Sequence, residues 1–220
     1  MIRRYDAVLF DLLTALVDSW SLWNRVAGNA EDGKRWRLAY LRRTYGAGVY
    51  RPYLNLVAEA AEEAGLARSS ADELAAGYAT LEPWTEAPAV LNALSPTLRL
   101  GIVTNCSEGL GRLAAARIGA EFAVVVTAEH AGFYKPHPRP YQLALDALGV
   151  APQRCLFVAG SAYDLFGTGK LGLPTYWHDR VGMAAVAEAP PPLWREQTLI
   201  PLPDILGSAL PPISGRGDTG

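Results

Sequence analysis

Apolar and β-branched residues cluster in five short runs along the chain, at 7–10, 100–104, 123–127, 156–158 and 174–177. The first, Ala7-Val8-Leu9-Phe10, is polar-free and bounded by Asp6 and Asp11. Such a run predicts a strand buried on both faces, which in α/β proteins means a parallel sheet. Between the later runs the pattern changes to alanine- and leucine-rich segments at 108–118 and 139–148. Each is followed by a glycine, Gly119 or Gly149, as expected just past a helix end. Strand and helix alternating in this way predict right-handed βαβ units and a doubly wound α/β sheet.

The stretch from about residue 19 to residue 80 differs. It contains no strand pattern but four helical segments, around 22–28, 34–45, 54–63 and 71–79. An all-helical insertion directly after the first strand's loop would lie over the carboxyl edge of the sheet and cover Asp11, excluding water. The predicted organisation is a core of 1–18 and 81–207, a helical cap of 19–80 and a flexible tail of 208–220. The tail is rich in proline, glycine and polar residues without a periodic face. Its Arg-Gly-Asp tripeptide is a chance occurrence on this reading.

With 220 residues, half of them apolar, the chain can bury a full core. A formal net charge of −2 argues against a nucleic-acid footprint. The two cysteines, Cys106 and Cys155, lack metal-ligand spacing and suggest a reduced, cytoplasmic setting. Asp6 and Asp11 interrupt the apolar stretch after Met-Ile-Arg-Arg, and no run of about 18 apolar residues suggests a membrane span. The expected partner is a small organic acid, with neither nucleic acid nor membrane, and a homodimer is possible.

Four segments place polar groups at predicted strand ends, where open parallel sheets bind ligands. Asp11 ends the first run; by itself it reads first as a turn cap, and the other three segments change that reading. Thr104-Asn105-Cys106-Ser107 ends the second, offering a hydroxyl, an amide and helix N-terminal donors for an anion, or simple capping. Tyr134-Lys135-Pro136 fixes a lysine before a helix that carries Tyr141. Beside Asp11 that lysine would keep the carboxylate ionised; elsewhere it is a surface lysine. Ala159-Gly160-Ser161-Ala162-Tyr163-Asp164 brings a second carboxylate. Two carboxylates at adjacent strand ends divide nucleophile and water-activating roles, or share a cation.

In this order, with this insertion, the segments resemble the haloacid dehalogenase superfamily over nearly the whole chain. The resemblance implies a Rossmann-like doubly wound core with an inserted helical cap and a nucleophilic aspartate, Asp11. Magnesium phosphatases of that superfamily carry a second Asp two residues after the nucleophile, as general acid. Here Leu13 stands there and cannot donate a proton, a loss worth about 10² to 10⁴ in rate. Their Gly-Asp-Ser acidic loop is Ala159-Gly160-Ser161 here. The expectation is therefore no metal and no cofactor, with magnesium needed only on the phosphatase alternative.

The metal-free L-2-haloacid dehalogenases match more of the sequence. Their cap Trp-Arg pair is similar to Trp36-Arg37, their Ser-Asn-Gly-Ser to Thr104-Asn105-Cys106-Ser107, and their Ala-Trp-Asp loop to Ala162-Tyr163-Asp164. Their Phe-Pro-Thr-Cys-Trp strand looks like Leu173-Pro174-Thr175-Tyr176-Trp177. By that resemblance Asp11 forms an alkyl ester, Lys135 keeps Asp11 ionised, and Asp164 helps activate the hydrolytic water. Arg37 and Asn105 receive the halide; Thr104 and amides of the first loop, which includes Leu13, bind the substrate carboxylate. Ser161 lies near the water. The first loop departs from the family's Asp-x-Tyr-Gly-Thr, reading Asp11-Leu12-Leu13-Thr14-Ala15, and Ala159 and Ser161 replace a Ser and an Asn. Alternatives are attack by Asp11 on another activated carbon and a retired enzyme that only binds. For Arg37, a solvated helix face shared with Lys34, Arg35, Arg42 and Arg43 competes with a role in the pocket.

Overall fold

A computed structural model describes residues 4–207 of the chain; the tail expectation for 208–220, with its Arg-Gly-Asp, lies outside the described residues. The fold is α/β. Six strands form one parallel sheet: β1 (Ala7–Phe10), β2 (Arg99–Thr104), β3 (Val124–Thr127), β4 (Cys155–Ala159), β5 (Thr175–His178) and β6 (Trp194–Glu196). Their order is β3-β2-β1-β4-β5-β6. The chain grows outward on one side of β1 and then returns to build the other side. β1 therefore lies at the topological switch, where a crevice opens beyond the strands' carboxyl ends.

Alternation along the strands divides the core in two. Val8 and Phe10 of β1 and Leu156 and Val158 of β4 face one cluster, which continues into the helical insertion. Ala7, Leu9, Cys155 and Phe157 face the other, packed under α8 (Pro138–Leu148) through Tyr141, Ala144, Leu145 and Leu148. Both faces are covered, which is why these strands lack a polar alternate position.

Between β1 and α5 (Ala87–Leu94) the chain forms α1 (Ser19–Ala27), α2 (Ala30–Ala47), α3 (Tyr53–Glu63) and α4 (Ser70–Gly77). Asp18 caps α1 by accepting from the Ser21 amide, and Asn29 caps α2 by accepting from Asp32. The two connections to the sheet run side by side: Val17 bridges Pro83, the Asp18 amide donates to the Glu82 carbonyl at 2.9 Å, and Trp84 donates to Leu16 at 2.9 Å. A second tether joins the end of α2 to the loop before Lys135, where Tyr50 donates to Gly132 and Tyr134 to Gly48.

The remaining helices are α6 (Glu108–Ala116), α7 (Ala128–Ala131), α9 (Asp164–Leu171) and α10 (Leu202–Gly207). α6 ends two residues earlier than its pattern suggests, with Gly119 left beyond it at φ 72°. Gly149 caps α8 in the left-handed region as expected. β6, α5, α7, α9 and α10 are additions to the elements read from the pattern. β6 is a three-residue edge strand with two exposed positions, too short and too polar to register as a run.

Candidate active site

The ends of β1 to β4 carry the charged groups to one place. Asp11 directly follows β1, Thr104 closes β2, Lys135 lies in the turn between α7 and α8, and Asp164 opens α9 after β4. The Lys135 ammonium donates to Asp11 Oδ1 at 2.8 Å and contacts Asp164 Oδ1 at 2.9 Å. Lys135 and Asp164 are fully buried and Asp11 nearly so. Tyr45 and Tyr141 donate to Asp164 Oδ1 at 3.2 and 3.3 Å, whereas Asp164 Oδ2 is buried without a partner.

The loop after β1 owes its shape to side chains from outside it, each taking one of its carbonyls. The Leu13 carbonyl accepts from Ser19 Oγ and from Arg37 Nη2, the latter at 3.5 Å. Trp84 Nε1 donates to Thr14 O at 3.0 Å, and His178 Nδ1 lies 2.9 Å from Ala15 O. With these carbonyls occupied, the Thr14 amide and hydroxyl lie against Asp11 Oδ2, at 3.2 and 2.7 Å.

These contacts separate the two carboxylates electrostatically. Burial works against ionising Asp11, but Lys135, the Thr14 hydroxyl and the Arg37 charge outweigh it and hold its carboxyl below the usual range. Burial and the neighbouring Asp11 charge push Asp164 above the usual range, with Lys135 opposing them. Burial would lower Lys135, yet the two carboxylates raise it, so the ammonium persists. Tyr45 and Tyr141 are driven well above the ordinary phenol value, first by burial and then by Asp164. They remain neutral donors.

Arg37 belongs to the interior and not to a solvated face: it is 1% exposed, while Arg35, Arg42 and Arg43 pair at the surface with Asp32, Glu63 and Glu59. Its guanidinium carbon lies 4.9 to 5.6 Å from the ring centroids of Trp23, Trp20 and Tyr40. Its Nε and Nη1 are buried and have no hydrogen-bond partner. Trp36 is equally buried and donates to the Val57 carbonyl at 2.9 Å, so it positions α2 against α3.

A cavity of about 20 Å³ separates the sheet edge from α2, lined by Asp11, Leu13, Thr14, Arg37, Tyr45 and Thr104 among others. That is room for about one water. Thr104 Oγ1 is buried without a partner. Asn105 also lines the cavity, but its amide is largely committed: Oδ1 accepts from the Lys135 amide at 2.7 Å and Nδ2 donates to the Lys135 carbonyl at 3.0 Å. It therefore fixes the lysine's backbone, leaving one N–H. Ser161 is buried under the site, its hydroxyl accepting from the Tyr163 amide at 3.2 Å, and is outside the cavity lining.

Thr14, Tyr40 and Tyr45 are site residues that sequence reasoning passed over. Arg37, Tyr40, Leu41, Thr44 and Tyr45 follow the spacing of one helix face, a signal that extends naturally from Arg37. Magnesium requires an octahedral set of oxygen ligands. Here the two carboxylates already share an ammonium, and among the described residues no group of three or more His, Cys, Asp or Glu could hold a metal. Among the described residues no helix is long and apolar enough to cross a membrane.

Comparison with known proteins identifies the family and the fold. Residues 5–167 match the family model of the haloacid dehalogenase-like hydrolases. The chain is 26% identical to the (S)-2-haloacid dehalogenase of Pseudomonas sp. (strain YL) over 97% of both chains. It is 30% identical to the phosphoglycolate phosphatase of Xylella fastidiosa over 90% of both. The match to haloacetate dehalogenase H-2 of Moraxella sp. (strain B), at 32% identity, covers 52% of this chain and spans about half of that relative, 53%. Among solved structures, L-2-haloacid dehalogenase from Xanthobacter autotrophicus superposes with a TM-score of 0.83 at 22% identity, covering 94% of this chain and 100% of that one.

Proposed function

The chain belongs to the haloacid dehalogenase-like hydrolases, and on that premise we propose that it hydrolyses the carbon–halide bond of a small 2-haloacid without a metal, through an ester on Asp11. The observation that carries this reading is the pairing across one cavity of an ionised carboxylate, Asp11, with a buried guanidinium, Arg37, whose Nε and Nη1 are free. A nucleophile for carbon and donors for a departing anion face each other across a small buried cavity.

Asp11 attacks the carbon bearing the halide; the new C–O bond forms as the carbon–halide bond breaks, and the halide leaves with the electron pair. Arg37 receives that charge. Thr104 Oγ1, buried and unpaired, offers a donor to the substrate carboxylate. Ester formation removes the charge on Asp11, so the Lys135 ammonium then acts on Asp164 alone. That shift favours ionised Asp164, the form able to accept a proton from water. The helical segment 19–80 serves as a cap, and with room for about one water the site opens for substrate entry.

A phosphatase reading draws on the similarity to the Xylella enzyme. Leu13, however, supplies no proton for a leaving alcohol. The test is a single turnover of 2-chloropropionate with excess enzyme in heavy-oxygen water. The peptide bearing Asp11 should gain the label while the first hydroxyacid product stays unlabelled. No halide release from any 2-haloacid would remove the reading. Activity abolished by EDTA and restored by magnesium would return the chain to the phosphatases.

A further inference from the structure

We propose that Thr14 is a catalytic residue of this chain: its hydroxyl and backbone amide form the oxyanion site on Asp11 Oδ2, which makes Oδ1 the attacking atom. The inference rests on the reading of Asp11 as the nucleophile. Each oxygen of a carboxylate offers about two lone-pair positions. On Oδ2 both are taken, by Thr14 Oγ1 at 2.7 Å and Thr14 N at 3.2 Å. Oδ1 has the Lys135 ammonium at 2.8 Å and keeps one position for the substrate carbon.

The loop that this chain resembles has glycine at position 14 and threonine at 15. Here the order is Thr14 then Ala15, so the hydroxyl stands one residue earlier. Room for it comes from Gly160 on the loop after β4: a Cβ there would lie 2.6 Å from Thr14 Cβ and 2.7 Å from Ala15 N, and closer still to the Thr14 hydroxyl. Ser19, donating to the Leu13 carbonyl, fixes the peptide whose amide points at Oδ2, and Trp84, donating to the Thr14 carbonyl, fixes the next one. Thr14 and Gly160 thus form a matched pair.

Once Oδ1 carries the alkyl group, Oδ2 is the ester carbonyl oxygen. Water adds to Cγ and gives its proton to Asp164, and negative charge gathers on Oδ2, where the two Thr14 donors meet it. The Cγ–Oδ1 bond then breaks, Oδ1 leaves with the alkyl group and takes the proton from Asp164, and Asp11 retains the water oxygen as a carboxylic acid, whose remaining proton passes to the freed Asp164 and on to solvent, restoring the Asp11 carboxylate. Thr14 acts chiefly in this second step.

Rapid-quench turnover of 2-chloropropionate, recording halide, hydroxyacid and the mass of the peptide bearing Asp11, separates the steps. Thermal unfolding serves as the folding control. Thr14→Ala, with isosteric Thr14→Val as a second hydroxyl-free variant, should release a halide burst. Hydroxyacid release should then slow by about 10² to 10³, with alkylated peptide accumulating. Thr14→Ser should restore most of that release. Gly160→Ala, whose Cβ would press on the Thr14 hydroxyl and Cβ and on Ala15 N, should also slow hydroxyacid release. Halide and hydroxyacid released in step at the wild-type rate by folded Thr14→Ala or Thr14→Val would overturn the assignment while sparing the dehalogenase reading. A wild type that releases no halide would overturn both.

Discussion

Two buried cations face Asp11 from opposite sides, and their surroundings differ. At the sheet edge, Lys135 is matched by two carboxylates at 2.8 and 2.9 Å. On α2, Arg37 lies among the rings of Trp20, Trp23 and Tyr40 with Nε and Nη1 unpartnered. A compact ammonium suits a fixed place between two oxygens, whereas a planar fork of donors suits an anion that arrives and leaves. Lys135 is part of the folded structure at every stage. Arg37 is held in reserve, and the fold tolerates its desolvated donors because aromatic faces partly compensate the charge.

The sharpest way to break the contrast is to remove each cation in turn. Lys135→Met leaves Asp11 and Asp164 buried without their counter-ion and should cost about 3 to 5 kcal/mol in chemical unfolding, with turnover lost. Equal stability of variant and wild type would show that the carboxylates are not carried by Lys135. Next in size is ligand linkage. A halide or the hydroxyacid product at about 100 times its Kd should stabilise the wild type by roughly 2.7 kcal/mol, and Arg37→Met should lose most of that gain. Thermal shift titration reads it.

In the absence of ligand, Arg37→Met should raise stability by roughly 1 kcal/mol, because it removes unsatisfied buried donors, while halide release disappears. Arg37→Lys should keep the fold but lose most of the halide release, since the charge stays and the fork is lost. Destabilisation by Arg37→Met would mean that the guanidinium is structural like Lys135. The smallest effect is pH linkage. Asp11 is held below the usual range, so its contribution to stability is present above the ordinary carboxylate value, about pH 3.9, and is lost as pH falls through its lower folded value. Asp11→Asn should remove that acid-limb dependence in pH-resolved unfolding. The acid limb of halide release should likewise fall below the ordinary carboxylate value.

Particular residues explain what the sequence made legible. β1 and β4 stand out because every position is buried on one face or the other, so no polar residue breaks the run. α9 was hidden by Gly167 and Gly169, which lower helix propensity. Gly167 is needed because a Cβ there would approach Tyr141 Oη to 2.7 Å, and Tyr141 must reach Asp164. The four charged or hydroxyl groups at strand ends could be read from order alone, since a parallel sheet gathers its carboxyl ends along one edge. Thr14 could not: in the chain it looks like a lost glycine, and its hydroxyl has meaning only where Gly160 makes room for it.

The amino-acid sequence by itself determined the parallel sheet, the position of the helical insertion and the set of groups collected at the sheet edge. Periodicity and burial are properties of neighbouring residues, and strand-end placement follows from topology. Only the tertiary structure decided which of five basic residues around α2 turns inward, that Asn105 holds the lysine's backbone, and that Lys135 is shared by Asp11 and Asp164. Those outcomes depend on distances between segments far apart in the chain, where ångström differences determine whether a charge is paired, free or exposed to water.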